Sequence, residues 1–177
     1  MPCPHNEITI VQRSKRQSAV ASAAYQSGER LFSEYDQKQK YYSHKSEIVH
    51  TEIMLPPHAP PEYADRNTLW NAAEAVEKQW NSQLARRFVL AIPRELPRSQ
   101  YADLIRDYCR EFFVSKGMIA DYAIHDPHPP DRGYSILSPC APAAPACAEC
   151  AAFLFIRCFR LHCRYWRQCA SLPCVPR

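Results

Sequence analysis

The sequence predicts an α+β fold in which a mainly antiparallel sheet is flanked by helices. Segments with strand-like and helix-like patterns alternate along the first 125 residues, but their connections differ from those of strict βαβ units. A length of 177 residues fits one domain of ordinary size, or one domain with an appendage, and can bury a full core. These observations favour α+β over a fold built from parallel βαβ units.

Local patterns define the predicted elements. Four strands are predicted where β-branched residues cluster or apolar and polar residues alternate, at residues 7–12, 47–55, 83–92 and 118–125. Three helices are predicted from capping residues and apolar stripes, at residues 18–28, about 67–80 and 99–116. The charged segment 29–46 is interpreted as an exposed hairpin or loop. Trp70 and Trp80 are expected in the core, with Glu74 and Glu77 on the exposed side of the second helix.

Composition changes sharply near residue 139. The formal net charge of +4 comes entirely from residues 139–177, which hold five Arg and one Glu, and seven of the nine cysteines lie there. The first ten residues lack the basic and apolar regions of a signal peptide, and the longest apolar run, Ala151–Ile156, is too short to span a bilayer. We therefore expect a cytoplasmic protein with no membrane segment and with reduced thiols.

The change in composition predicts a domain over residues 1–132 and a tail over residues 133–177. The tail is rich in Cys, Pro, Ala and Arg, shows no sustained helix or strand period, and is expected to be disordered. One hypothesis is that it is read from a shifted frame, which translation of the other two frames of the coding DNA would test. The alternative is a zinc knuckle built from Cys147, Cys150, His162 and Cys163, although no second tight pair of cysteines follows.

Tyr25 is the first candidate for chemistry. It lies near the end of a helix of small residues, with basic side chains on either side: Arg13, Lys15, Arg16 and Arg30. Cleaving a DNA strand through a covalent intermediate requires a nucleophile such as tyrosine, a divalent cation to polarise the phosphate, and cations to hold the backbone. The alternative is a packing tyrosine beside a solvated basic face.

Three further residues are candidates for the cation site. His50 and Glu52 share one face of the predicted strand 47–55, and His125 ends the strand 118–125. His50 and Glu52 are either accessory residues turned towards the active site or ordinary polar residues that face solvent. Spacing alone does not show that the three converge.

Four blocks of sequence together resemble a known family. They are SKRQSAVASAAYQSGERL, VHTEIMLPPHAP, LWNAAEAVEKQWNSQLARRFVLAIPREL and GMIADYAIHD, in this order, within about residues 7 to 130. The chain is identified from them as similar to the N-terminal relaxase domain of the MobA/MobL plasmid mobilisation family. The resemblance implies an antiparallel sheet flanked by helices, like that of relaxases and rolling-circle initiators.

The resemblance also implies a reaction. In this family the Tyr of the AAYxSG block attacks the scissile phosphate at the origin of transfer and leaves a 5′-phosphotyrosyl strand and a free 3′-hydroxyl; here that residue would be Tyr25. A histidine triad holds the divalent cation, Mg or Mn. Single-stranded or supercoiled plasmid DNA at the origin is the implied partner, with accessory proteins of the relaxosome.

The sequence departs from the family at the metal centre. His125 in AIHD matches the first metal histidine, but the His-x-His pair that follows in a segment such as NPHAHILLT is replaced by DPHPPDRGYSILSPC. His128 is the nearby candidate, and its position does not match the pair. Arg87 stands where relatives often carry Glu. The sequence therefore leaves two functions open: a metal-dependent DNA relaxase, or an incomplete, inactive remnant that at most binds DNA.

Overall fold

The structure is a computed structural model that describes residues 6–42, 48–92 and 96–125, and the backbone of residues 151–158. Within these ranges, five strands form one antiparallel sheet in the order β1-β5-β7-β6-β4. Their bounds are β1 Asn6–Gln12, β4 Ile48–Met54, β5 Gln83–Ala91, β6 Met118–His125 and β7 Ala151–Cys158. A separate hairpin pairs β2 Leu31–Ser33 with β3 Lys38–Lys40, inside the segment predicted as an exposed hairpin or loop.

Helices cover both faces of the sheet, as predicted. The core on one side joins α1 Ala19–Ser27 and α2 Arg66–Val76 to Ile119 of β6, and we call this side the α1/α2 face. The core on the other side joins α3 Tyr101–Phe112 to Tyr122 and Ile124 of β6, and we call it the α3 face. Successive residues of a strand point to opposite faces, and all eight residues of β6 are buried. The α+β prediction is confirmed.

The strand β7 was not predicted. It lies between β5 and β6 and pairs antiparallel with both, although its residues belong to the segment for which the sequence pattern indicated neither strand nor helix. A strand in the middle of a sheet with helices on both faces is continuously apolar rather than alternating, as AAFLFI is, so a search for period two misses it. The absence of a strand here was thus a wrong prediction. The zinc candidates and His128 lie outside the described residues.

The end of α2 also differs from the prediction. The helix stops at Val76 rather than near residue 80, so Trp80 falls beyond it and is 66% exposed, whereas Trp70 is buried as expected. Glu74 was expected on the exposed side and is buried instead. No helix in the described ranges is long and apolar enough to cross a bilayer.

Candidate active site

The helix α1 carries Tyr25 and is defined by two local caps. Ser18 is extended and its Oγ accepts a hydrogen bond from Ala21 N at 3.1 Å. Gly28 has a φ of 72° and donates from N to Ala24 O at 2.9 Å, which is the left-handed end that glycine favours. Both caps agree with the sequence prediction. Three of the six buried residues of α1 are alanine, which lets the helix lie close to the sheet.

The buried carboxylate of Glu74 closes the N-terminus of α1. Its Oε1 accepts hydrogen bonds from Ala19 N at 2.6 Å, Val20 N at 3.2 Å and Ser18 Oγ at 2.8 Å. A carboxylate here satisfies amides that have no partner inside the helix and complements the positive end of the helix dipole. Sequence reasoning missed this residue because its role depends on how α1 packs against α2, for which the sequence gives no local signal.

Arg13 stabilises the C-terminal end of α2. Its guanidinium donates to the carbonyl oxygen of Glu74 at 2.9 Å and to that of Glu77 at 2.9 and 3.1 Å, and it stacks over the ring of Tyr35. Arginine commonly pairs with the last carbonyl groups of a helix in this way. The Arg13 side chain is buried in these contacts, which gives it a structural role, while its DNA contact stays a prediction.

Tyr25 projects from α1 into an open cleft of about 280 Å³. Its side chain is 45% exposed, and the ring of Tyr42 packs edge-on against it at a centroid distance of 5.4 Å. The cleft is also lined by Arg16, Ser22 and Arg87, and none of the described residues that line it is Asp or Glu. The cleft therefore combines an accessible phenol with two cationic side chains.

The basic residues near Tyr25 occupy different positions. Arg16 lines the cleft from a turn in which its φ is 54°, a left-handed conformation that costs a residue other than glycine at least about 1 kcal/mol. Lys15 is exposed in the same turn. Arg30 is exposed after α1 and lies over the ring of Tyr41 at 4.7 Å. These three predicted DNA contacts, unlike Arg13, present their charge to solvent.

His125 lies on the α1/α2 face, directly against the backbone of α1. Its Nε2 is 2.8 Å from the carbonyl oxygen of Gln26, and because a carbonyl can only accept, this nitrogen donates. Gln26 Nε2 in turn donates to Asp121 O at 3.0 Å. The residue next to Tyr25 is thus tied to β6 at two points. Tyr25 and His125 belong to the same side of the molecule, as the sequence hypothesis requires.

A buried ion pair fixes α2 to the same strand. Arg66 donates from Nε and Nη2 to the Asp121 carboxylate at 2.9 to 3.1 Å, Trp70 Nε1 donates to it at 2.8 Å, and Glu29 also bonds Arg66. Burial raises the pKa of Asp121. Burial by itself would lower the pKa of Arg66, but the carboxylates of Asp121 and Glu29 outweigh it and raise that pKa. Since several N–H donors converge on Asp121, we assign the ionised pair.

His50 and Glu52 lie on the α3 face. Glu52 Oε2 accepts from Tyr122 Oη at 2.5 Å and from Arg106 Nη2 at 3.0 Å, and His50 Nε2 is 3.4 Å from the same oxygen. The β4–β6 register pairs Glu52 with Tyr122, and His125 is three residues further along β6, so it faces the other way. His50 and Glu52 therefore do not converge with His125, and an accessory role for them stays a prediction. Only the register between the strands could have shown that they do not converge.

The described residues near His125 do not fit the metal centre that the resemblance implies. Within the described ranges no three His, Cys, Asp or Glu side chains converge to hold a metal ion. His125 Nε2 is already bonded to Gln26 O. On the neighbouring strand, His125 and Ala123 pair with Ala151 and Phe153, and neither alanine nor phenylalanine is a metal-ligating residue type.

Comparisons with known proteins agree on one family. A model of the MobA/MobL family matches residues 17–141. The chain is 37% identical over 136 residues to "Conjugal transfer protein TraA" of Agrobacterium fabrum, an alignment that covers 71% of this chain and 12% of that protein. It is 32% identical over 123 residues to "Mobilization protein MobL" of Acidithiobacillus ferridurans, which covers 70% of this chain and 32% of that protein. The chain thus spans a small part of the length of these relatives.

A solved structure has the same fold. It comes from work described as "Molecular Basis of Vancomycin Resistance Transfer in Staphylococcus aureus". The two structures align with a TM-score of 0.72 at 26% sequence identity, over 88% of this chain and 70% of the other.

Proposed function

Because the chain belongs to the MobA/MobL family, we propose that it is the tyrosine-bearing part of a DNA relaxase that nicks one strand at an origin of transfer. The observation that carries the proposal is the exposed Tyr25 in a cleft lined by arginines, on the sheet face that also holds His125. The names of the relatives, conjugal transfer protein TraA and mobilization protein MobL, support the same role.

The proposed reaction is a transesterification. The phenol oxygen of Tyr25 bonds to the scissile phosphorus while the bond from phosphorus to the 3′-oxygen breaks, so the strand is held as a 5′-phosphotyrosine. The phenolic proton passes to solvent, and the departing 3′-oxygen takes a proton to become a hydroxyl. Lys15, Arg16 and Arg30 would contact the DNA backbone around the cleft, which predicts binding that weakens as salt rises.

The divalent cation of the family, Mg or Mn, would polarise the phosphate in such a reaction. Since the described residues around His125 do not fit it, no step of the proposal is routed through a metal. Plasmid DNA, single-stranded or supercoiled, is the proposed partner, and accessory relaxosome proteins would assemble on the origin beside the chain.

The test is formation of a covalent adduct. The full chain is incubated with a supercoiled plasmid that carries the origin of transfer from the replicon that encodes the chain. Parallel reactions contain Mg, Mn or EDTA, and the protein is then separated under denaturing conditions. We expect a protein–DNA adduct that Tyr25→Phe abolishes and that Tyr35→Phe, at an exposed tyrosine outside the cleft, leaves unchanged. Trypsin releases residues 17–30 as one peptide with Tyr25 as its single tyrosine, so mass spectrometry can locate the bond.

A second candidate is a catalytically inactive protein that only binds DNA. The observation in its favour is the mismatch between the residues around His125 and a metal site. DNA binding without an adduct, under all three ionic conditions, would support this candidate and contradict the first. An adduct mapped to a peptide other than 17–30 would contradict the role of Tyr25.

A further inference from the structure

We infer that Arg16 and Arg87 form a pair of guanidinium groups that binds a phosphodiester in the Tyr25 cleft without a divalent cation. We call these two residues the arginine pair. The inference rests on the proposed function for the identity of the ligand, a DNA backbone, but the binding site itself follows from the charges and contacts of the cleft.

The charge of the cleft favours an anion. Arg16 and Arg87 both line it, and no described residue of its lining is acidic. Two guanidinium groups repel a divalent cation and attract a phosphate, whose oxygens match the planar fork of arginine donors. A metal site would need carboxylate or imidazole ligands in the same space, and the described lining offers none.

Arg87 is held in position for such a ligand. It pairs with Thr9 across β1 and β5, and its Nε donates to Thr9 Oγ1 at 3.0 Å. This hydrogen bond uses the inner edge of the guanidinium. Within the described part of the chain, the two terminal nitrogens of Arg87 make no hydrogen bond, so the outer edge of the group is available in the cleft. Because the side chain is ordered before the ligand arrives, binding costs less conformational entropy.

Arg16 is placed by its backbone. Its N donates to Arg13 O at 2.8 Å, and Gln12 and Gln17 close the turn around it through two further hydrogen bonds of 3.0 and 3.3 Å. The turn holds Arg16 at a φ of 54°, where glycine would be the unstrained choice. Because Arg16 lines the cleft from this position, the strained backbone supports a role for its charge there.

The N-terminus of α1 does not supply the positive charge. Its amides at Ala19 and Val20 already donate to Glu74, and the amide of Ala21 donates to Ser18. An anion in the cleft therefore meets the arginine pair rather than open helix amides. This distinguishes the inferred site from the ordinary anion site at the start of a helix.

The experiment measures DNA binding in the absence of the covalent step. The full chain with Tyr25→Phe is titrated into a fluorescein-labelled single-stranded oligonucleotide, and anisotropy gives the Kd in EDTA and in Mg. We expect the two Kd values to agree within about twofold, and Arg16→Gln or Arg87→Gln to raise the Kd by about tenfold, as the loss of a charge-assisted hydrogen bond does. Each substitution should also lower the slope of log affinity against log salt by about one.

Matched variants keep the result interpretable. Arg110→Gln removes one exposed charge from α3, on the other side of the sheet, and should change the Kd less than twofold. Arg16→Gly relaxes the left-handed backbone and should keep the fold while it loses the binding. Arg87→Lys keeps the positive charge but loses the planar set of guanidinium donors. It replaces Arg87→Gln in the experiment if that variant does not fold.

Three results would overturn the inference: a Kd that improves tenfold or more with Mg, equal losses in Arg110→Gln and Arg87→Gln, or no binding at all. The two proposals can fail separately. Binding that depends on the arginine pair without any adduct from the unsubstituted chain would contradict only the nicking reaction. An adduct together with unchanged binding in both arginine variants would contradict only the arginine pair.

Discussion

At the residue scale, Glu52 makes the stability of the protein depend on pH. Burial alone would raise the pKa of its carboxyl, but hydrogen bonds from Arg106, Tyr122 and His50 outweigh this and lower the pKa below the ordinary 4.5. A carboxyl with a depressed pKa in the folded state stabilises it above the ordinary pKa, and this contribution disappears as the pH falls through the folded value. Glu52→Gln should therefore be less stable than the parent at pH 7.

Urea unfolding at pH 7 and pH 3 measures this difference. At pH 3 the difference between the parent and Glu52→Gln should be smaller than at pH 7, since pH 3 lies below the ordinary pKa and the unfolded parent has by then largely bound its proton. Other groups also titrate in this range, among them Asp36 and Asp65, whose pKa values are lowered too. The comparison is therefore between the two proteins at each pH, with the exposed Glu111→Gln as control. A gap of the same size at both pH values would contradict the assignment.

The sequence predicted the role of a residue where the residue acts on its own helix or strand. Ser18 and Gly28 were identified as caps because a cap acts within one turn of its own helix. The burial of Glu74 and the contacts of Arg13, His50 and Glu52 were not predicted, because their partners lie on other elements. Tyr25 was predicted as a nucleophile from its helix, its basic neighbours and the family resemblance, and this role stays a prediction; the accessibility of its side chain was known only from the fold.

At the element scale, the placement of α1 depends on Glu74. Glu74→Ala would leave two amides at the start of α1 without a partner, which should lower the free energy of unfolding by about 1 to 3 kcal/mol. Glu74→Gln keeps an oxygen acceptor and loses only the charge, so its cost should be about 0.3 to 1 kcal/mol. The measurement is urea unfolding followed by circular dichroism at pH 7.

The control for Glu74 is Glu111→Ala, which removes a carboxylate from an exposed position and should change stability by less than about 0.5 kcal/mol. Equal losses in Glu74→Ala and Glu111→Ala would show that the cap of α1 contributes nothing. A loss in Glu74→Gln as large as in Glu74→Ala would instead show that the charge, rather than the acceptor, is what matters.

The strands differed in how well local sequence patterns predicted them. The strands β1, β4, β5 and β6 were predicted to within about two residues, because each carries β-branched residues or ends at a recognisable turn. The strand β7 could not be predicted in this way, since its uniform apolar run has no period. Its place between β5 and β6 follows from pairing between distant segments, which no local window contains.

At the scale of the whole molecule, β7 joins the two halves of the sheet. Within the described ranges, β1 and β5 form the half of the sheet on one side of β7, and β6 and β4 form the half on the other side. Six residues of β5 and eight of β6 pair with β7. Because β5 and β6 are both antiparallel to β7, they run parallel to each other. If β7 were missing, β5 and β6 could pair with each other only after one half of the sheet moved by about 4.8 Å and the two strands adopted a new, parallel register.

A chain that ends at residue 132 should therefore lose the cooperative fold, although the sequence places the domain boundary there. We expect residues 1–132 to unfold in urea with a shallow, non-cooperative transition, because β5 and β6 would each present an unpaired edge. Residues 1–160, which retain β7, should unfold cooperatively. If residues 1–132 showed the same midpoint and slope as the full chain, β7 would be dispensable, and the boundary read from the composition would stand as the true limit of the fold.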